Sequence, residues 1–195
     1  MEPAGTNALL AETPSLNIGL ESLSEQKWEA FLFDKFVKDY YLTNMIIKSV
    51  SNYYQDIGSR KLSHRSKNGD FEAIKEMAYK MAPLISKDSH LIPIPNRMGI
   101  ANMTLQLAIE INKITGNPIS NIMKGKNRSS VYDIKKLGKI LEPNTLGFYL
   151  NDTPPKKSTL IDNVYATGYT MRQALSLVKN SDIVVYSRDY SLMIN

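Results

Sequence analysis

Apolar positions spaced three and four residues apart dominate the first part of the chain. Trp28, Phe31, Leu32, Phe36, Tyr40, Tyr41, Met45 and Ile46 recur at helical steps behind Ser22 and Glu25, which stand at capping-box spacing. Together they predict a long amphipathic helix over about 24–55, ending near Gly58. Residues 59–69 (Ser-Arg-Lys-Leu-Ser-His-Arg-Ser-Lys-Asn-Gly) show no apolar face and read as a polar, basic connector. Asp70 then caps a second helix over about 71–82, with Phe71, Ile74, Met77, Ala78 and Met81 on one side. Ahead of all this, residues 1–20 carry Pro3, Gly5, Pro14 and Gly19 without a sustained period, which predicts a tail that orders only against the body.

The pattern changes near residue 88. Residues 90–95 form a short β-rich apolar run. Ile100, Met103, Leu107, Ala108, Ile111 and Ile114 then mark a helix over 99–114, closed by Gly116 and Pro118. Further strands are predicted at 119–123, 146–150, 158–161 and 183–186. A weak helix around 131–139 and a firmer one over 170–178 fall between them. Strands alternating with helices predict an α/β fold with a mostly parallel central sheet flanked by helices. The chain divides into a tail (1–20), a helical N-terminal segment or hood (21–87) and an α/β domain (88–195).

Composition narrows the chemistry. The 195 residues include no cysteine and two histidines, His64 and His90. A disulfide framework, a thiolate metal site and a cysteine nucleophile are therefore excluded, and a histidine-based zinc site is not expected. No apolar run approaches the ~20 residues that span a bilayer, and the start of the chain lacks a basic region followed by an apolar one. The expectation is a cytoplasmic protein without a membrane partner. Lysine and arginine number 24 against 19 acidic residues, a net charge of +5. That mild excess favours an anionic partner, either a phosphorylated small molecule or nucleic acid.

Candidate chemistry concentrates at residues 158–170 (Ser-Thr-Leu-Ile-Asp-Asn-Val-Tyr-Ala-Thr-Gly-Tyr-Thr). A buried strand reaches Asp162, passes through a short loop of small and hydroxyl residues, and turns into a helix. In an open α/β sheet the ligand crevice lies beyond the carboxyl ends of the strands. Main-chain N–H groups at the helix start suit a phosphate, Gly168 permits close approach, and Thr167 and Thr170 add hydroxyl donors. Asp162 would accept hydrogen bonds from sugar hydroxyls. The competing phosphate motifs Gly-x-x-x-x-Gly-Lys-Ser/Thr and Gly-x-Gly-x-x-Gly are absent from the chain. An ordinary strand–turn–helix accounts for the same spacing.

This stretch resembles the phosphoribosyl-pyrophosphate (PRPP) signature of type I phosphoribosyltransferases, a hydrophobic strand with two acidic residues and a loop ending Thr-Gly-x-Thr. Upstream, Leu91-Ile92-Pro93-Ile94-Pro95-Asn96-Arg97, followed by Asn102 and an apolar helix, is similar to the ComF-type branch, as is Phe148 shortly before the binding strand. The resemblance covers roughly residues 88–187, most strongly 158–170. Asn163 stands where the family has its second acid, and Ala166 replaces the first loop threonine.

The resemblance implies a PRTase-like fold and Mg2+-dependent transfer of a phosphoribosyl group from PRPP to a nitrogenous acceptor. It gives Asp162 and Asn163 the ribose hydroxyls, and Ala166, Thr167, Gly168, Tyr169 and Thr170 the 5′-phosphate. It makes Asn96, Arg97 and Gly99 a pyrophosphate loop, and matches Lys124, Lys126 and Arg128 by position to a flexible closing loop. The metal would be held mainly by the ligand, with Asp162 the protein group nearest in kind. Tyr186, Arg188 and Asp189 would edge a base pocket. Asn163 and Ala166 favour a second reading, a non-catalytic PRPP- or nucleotide-binding regulator. A third is a nucleic-acid-associated ComF-like accessory protein. The aromatic-rich first helix offers either a cover for the site or a homodimer surface.

Overall fold

The computed structural model describes residues 47–130, 134 and 144–189. Four strands make a wholly parallel sheet in the order β1-β6-β5-β2. They are β1 (Ile47–Asn52), β2 (His90–Pro93), β5 (Ser158–Tyr165) and β6 (Asp182–Arg188). The short strands β3 (Met123–Lys124) and β4 (Tyr149–Leu150) form a separate antiparallel pair. Among the described residues the strands are joined by the α-helices α1 (Ile57–Lys67), α2 (Phe71–Met81), α3 (Met103–Thr115) and α4 (Tyr169–Leu177).

The central strands are near-continuous apolar runs because both sheet faces are covered. On one face Leu91, Ile161, Val184 and Tyr186 pack with Leu62 of α1, Ile74, Met77 and Met81 of α2, and Leu107 and Ile111 of α3. On the other, Ile92, Leu160, Ile183 and Val185 pack with Met171, Ala174 and Leu175 of α4. Neighbours in sequence thus feed opposite cores, as the two-residue period of a strand requires.

Several expected elements stand where the periodicity placed them. Asp70 caps α2 by accepting from Ala73 N at 3.0 Å, and Gly116 closes α3 at a φ of 75°. Others differ. The long helix expected to reach residue 55 gives way to β1, whose Val50 packs on one core and Ile47 on the other. Parallel pairing with β6 in the register Ile47↔Ile183 to Asn52↔Arg188 overrides the helical spacing that precedes it.

The basic connector is the helix α1. Asp56 caps it, accepting from Ser59 N at 3.1 Å. Its inward face is Ser59, Leu62, Ser63 and Ser66, so no apolar stripe announced it. β1, α1 and α2 share a core with the later strands. The expected strand at 119–123 is reduced to one parallel bridge, Leu91↔Ile119, and the two residues of β3. The expected tail, the part of the first helix before residue 47, and the weak helix around 131–139 apart from Ile134 lie outside the described residues. Both histidines have structural partners: His64 Nε2 lies 3.3 Å from Tyr53 Oη, and His90 Nδ1 lies 2.9 Å from Ser120 Oγ. No described helix is long and apolar enough to cross a membrane.

Candidate functional site

The topology singles out one place on the sheet. From β2 the chain crosses through α3 on the first face to residue 119, on the outer side of β2. From β5 it crosses through α4 on the second face to β6, on the opposite side. β2 and β5 are adjacent, so the winding reverses between them, and their carboxyl ends form the switch point where open α/β sheets bind ligands. The two loops that leave this point, residues 94–102 and 166–168, contain the residues predicted from sequence.

β5 is longer than expected. It runs through Asp162, Asn163 and Val164 to Tyr165, with Asp162 paired in register to Val185. Asp162 is therefore held on a strand rather than at its end. It is partly exposed, and its Oδ1 accepts from Asn163 N at 2.8 Å. Burial raises its carboxyl from 3.8 to about 6, opposed by that main-chain bond and by the charge of Lys67. Asn163 is buried, and its Nδ2 has no hydrogen-bond partner among the described residues. The two residues paired by the signature thus differ in access as well as in charge.

The following loop is the sharp turn that the glycine implied. Gly168 has a φ of 72° and begins α4. A Cβ there would lie 2.8 Å from Tyr165 Cζ and closer still to its hydroxyl, so the ring of Tyr165 backs the loop and admits only glycine. The first N–H groups of a helix have no intrahelical acceptor. Those of Ala166, Thr167, Gly168 and Thr170 find none elsewhere among the described residues. Small side chains and a positive helix end leave these donors suited to an oxyanion.

Sequence reasoning missed three residues here. Tyr165 forms the backing just described. Arg172 donates from Nη1 to Thr167 O at 3.0 Å and so fixes the loop. A cation in the first turn of a helix opposes the dipole, and that local conflict was the available signal. Thr145 hydrogen-bonds the Tyr169 hydroxyl, whose pKa is raised chiefly by burial. Nothing local in the sequence links residues 145 and 169.

The basic loops are brought in unequally. Gly99 is buried while Asn96 and Arg97 are exposed at the rim. Arg128 is half-buried beside Tyr169; burial lowers the pKa of its guanidinium while the Tyr169 charge opposes that, and its Nε has no hydrogen-bond partner among the described residues. Lys126 lies across Gly147 instead, and Lys124 sits in β3 opposite Tyr149. Arg188 stacks over the Tyr165 ring with its guanidinium carbon 5.3 Å from the centroid, and Asp189 N donates to Tyr165 O at 2.8 Å. Arg188, the last residue of β6, and Asp189 therefore adjoin the same loop, whereas Tyr186, expected beside them, is buried in the core.

The fold and site define an α/β protein with a parallel sheet and an oxyanion-suited turn at its switch point. Comparisons with protein-family models, with curated proteins and with solved structures give no match.

Proposed function

We propose that the switch-point crevice binds PRPP and that the protein is a phosphoribosyltransferase of the type I, PRTase-like kind. In the proposed reaction, a nitrogen of the acceptor forms a bond to the anomeric carbon as the bond to pyrophosphate breaks, and the acceptor then loses a proton. The observation that carries the reading is the 166–170 turn following a carboxylate on β5, where the amides of Ala166, Thr167, Gly168 and Thr170 find no acceptor among the described residues and Gly168 is left-handed. The amides of Ala166, Thr167, Gly168, Tyr169 and Thr170 hold the 5′-phosphate. Asp162 accepts from a ribose hydroxyl. Arg97 and Arg128 offset the charge of the departing diphosphate.

Among the described residues, no group of three or more His, Asp or Glu side chains gathers to hold a metal. In the proposed reaction Mg2+ would be bound through diphosphate oxygens, with Asp162 the carboxylate of the motif on hand. Bound in that way, Mg2+ would neutralise the leaving group.

One observation favours a second reading, a regulator that binds PRPP or a nucleotide without turnover. Asn163 brings no charge and is buried, so the site has one carboxylate where the signature has two. The third reading, a nucleic-acid accessory, draws on the basic stretch that forms α1. Part of that charge is committed, because Arg65 Nε donates to Asp70 at 2.7 Å.

Calorimetry with PRPP and Mg2+, followed by a pyrophosphate-release assay over a panel of bases, separates these readings. Binding with release supports the transferase. Binding without release across the panel supports the regulator. No binding at millimolar PRPP would defeat both.

A further inference from the structure

The loop after β2 (residues 94–102) and residues 125–130, which follow β3, are joined through their main chains. Gly125 N donates to Gly99 O at 2.9 Å, and Arg128 N donates to Arg97 O at 3.0 Å. At the glycine pair the approach is closer than a side chain permits. A Cβ on Gly99 would lie 2.0 Å from Gly125 O and 2.7 Å from its carbonyl carbon, and Gly99 has a φ of +79°. A Cβ on Gly125 would lie 2.9 Å from the Phe148 ring. The first loop is also closed on itself: Asn96 N donates to Ile100 O at 2.9 Å, Gly99 N to Asn96 O at 3.0 Å, and Met98 N to Asn96 Oδ1 at 2.8 Å.

We infer that residues 94–102 and 125–130 form one preassembled body, fastened at Gly99 and Gly125, rather than a fixed loop and a separate lid. The fastening sets Arg97 and Arg128 side by side. Residues bonded through their main chains stand roughly 5 Å apart, within reach of a single diphosphate for two guanidinium groups. Gly99 and Gly125 are thus positioning residues, and the ligand meets a charged wall that is in place before it arrives. Diphosphate as the ligand rests on the proposed function; the fastening does not.

Hydrogen exchange on the full chain, read amide by amide by NMR, tests this without ligand. The amides of Gly125 and Arg128 should exchange at least about tenfold slower than in an unstructured peptide, and added inorganic pyrophosphate should leave that protection in place. Exchange near the unstructured rate, with protection appearing only on pyrophosphate addition, describes a lid and overturns the inference. In Gly99→Ala, protection at both amides should fall about tenfold while the amides of Leu160 and Ile161 stay protected. Retained protection at Gly125 and Arg128 in that variant would also overturn it. If Gly99→Ala does not fold, the wild-type measurement decides alone. Protected loop amides in a protein that ignores PRPP would retain the fastening and reject only the phosphoribosyl reading.

Discussion

At the scale of single residues, Gly168 and Asp162 carry the site for different reasons. Gly168 is required by geometry, since its left-handed backbone and the Tyr165 ring both exclude a side chain. Gly168→Ala should lower stability by about 2 kcal/mol or more, from the left-handed conformation together with displacement of the ring. A urea midpoint measures this, and an unchanged midpoint would show that the turn relaxes freely.

In the proposed site Asp162 acts through its charge, which burial penalises. Its folded pKa, about 6, lies above its ordinary value of 3.8, so folding favours the neutral form. The stability it contributes is complete below about pH 4 and is lost as the pH rises through about 6. Asp162→Asn should therefore match wild type near pH 4 and exceed it by roughly 1–3 kcal/mol at pH 8. The same variant should bind PRPP more weakly at pH 8, where wild type is ionised. An equal stability change at both pH values would show that the carboxyl is not perturbed.

At the scale of elements, α1 shows how a helix escapes detection. Its buried face is three serines and one leucine, and Ser63 Oγ lies 3.4 Å from Ser187 Oγ on β6. Polar residues of this size let the helix approach the sheet closely while keeping their hydrogen bonds. Ser63→Leu should cost about 1–3 kcal/mol by overpacking, whereas Arg60→Leu, on the exposed side of the same helix, should stay within about 0.5 kcal/mol. Thermal unfolding of the two variants checks this, and equal effects would mean that the helix is turned otherwise.

By contrast, α2 and α3 were legible because Ile74, Met77, Met81, Leu107 and Ile111 are both apolar and buried. β1 was not, since its apolar residues continue a helical spacing and only pairing with β6 decides the matter. The sequence also stopped β5 four residues early. Asp162 and Asn163 look like loop residues until the strand is seen to carry them. The turn at Gly168 could be read locally, whereas the junction of Gly99 with Gly125 joins loops that only the fold brings together.

At the scale of the molecule, the first described strand and two helices belong to the same body as the site. Met77 and Ala78 are fully buried in a core shared with Ile161 and Val184, and β6 lies between β1 and β5. A fragment of residues 88–195, the unit suggested by the change of pattern near residue 88, would expose that core and one edge of β6. It should lack a cooperative unfolding transition, and a sharp calorimetric transition for the fragment would refute the shared core.

The site's location follows from the reversal of winding between β2 and β5, and a solution titration examines it directly. With ribose 5-phosphate added to the full chain, amide NMR shifts should saturate and be largest at Ala166, Thr167, Gly168, Tyr169 and Thr170. Shifts that never saturate at millimolar ligand, or that cluster away from this turn, would contradict the assignment.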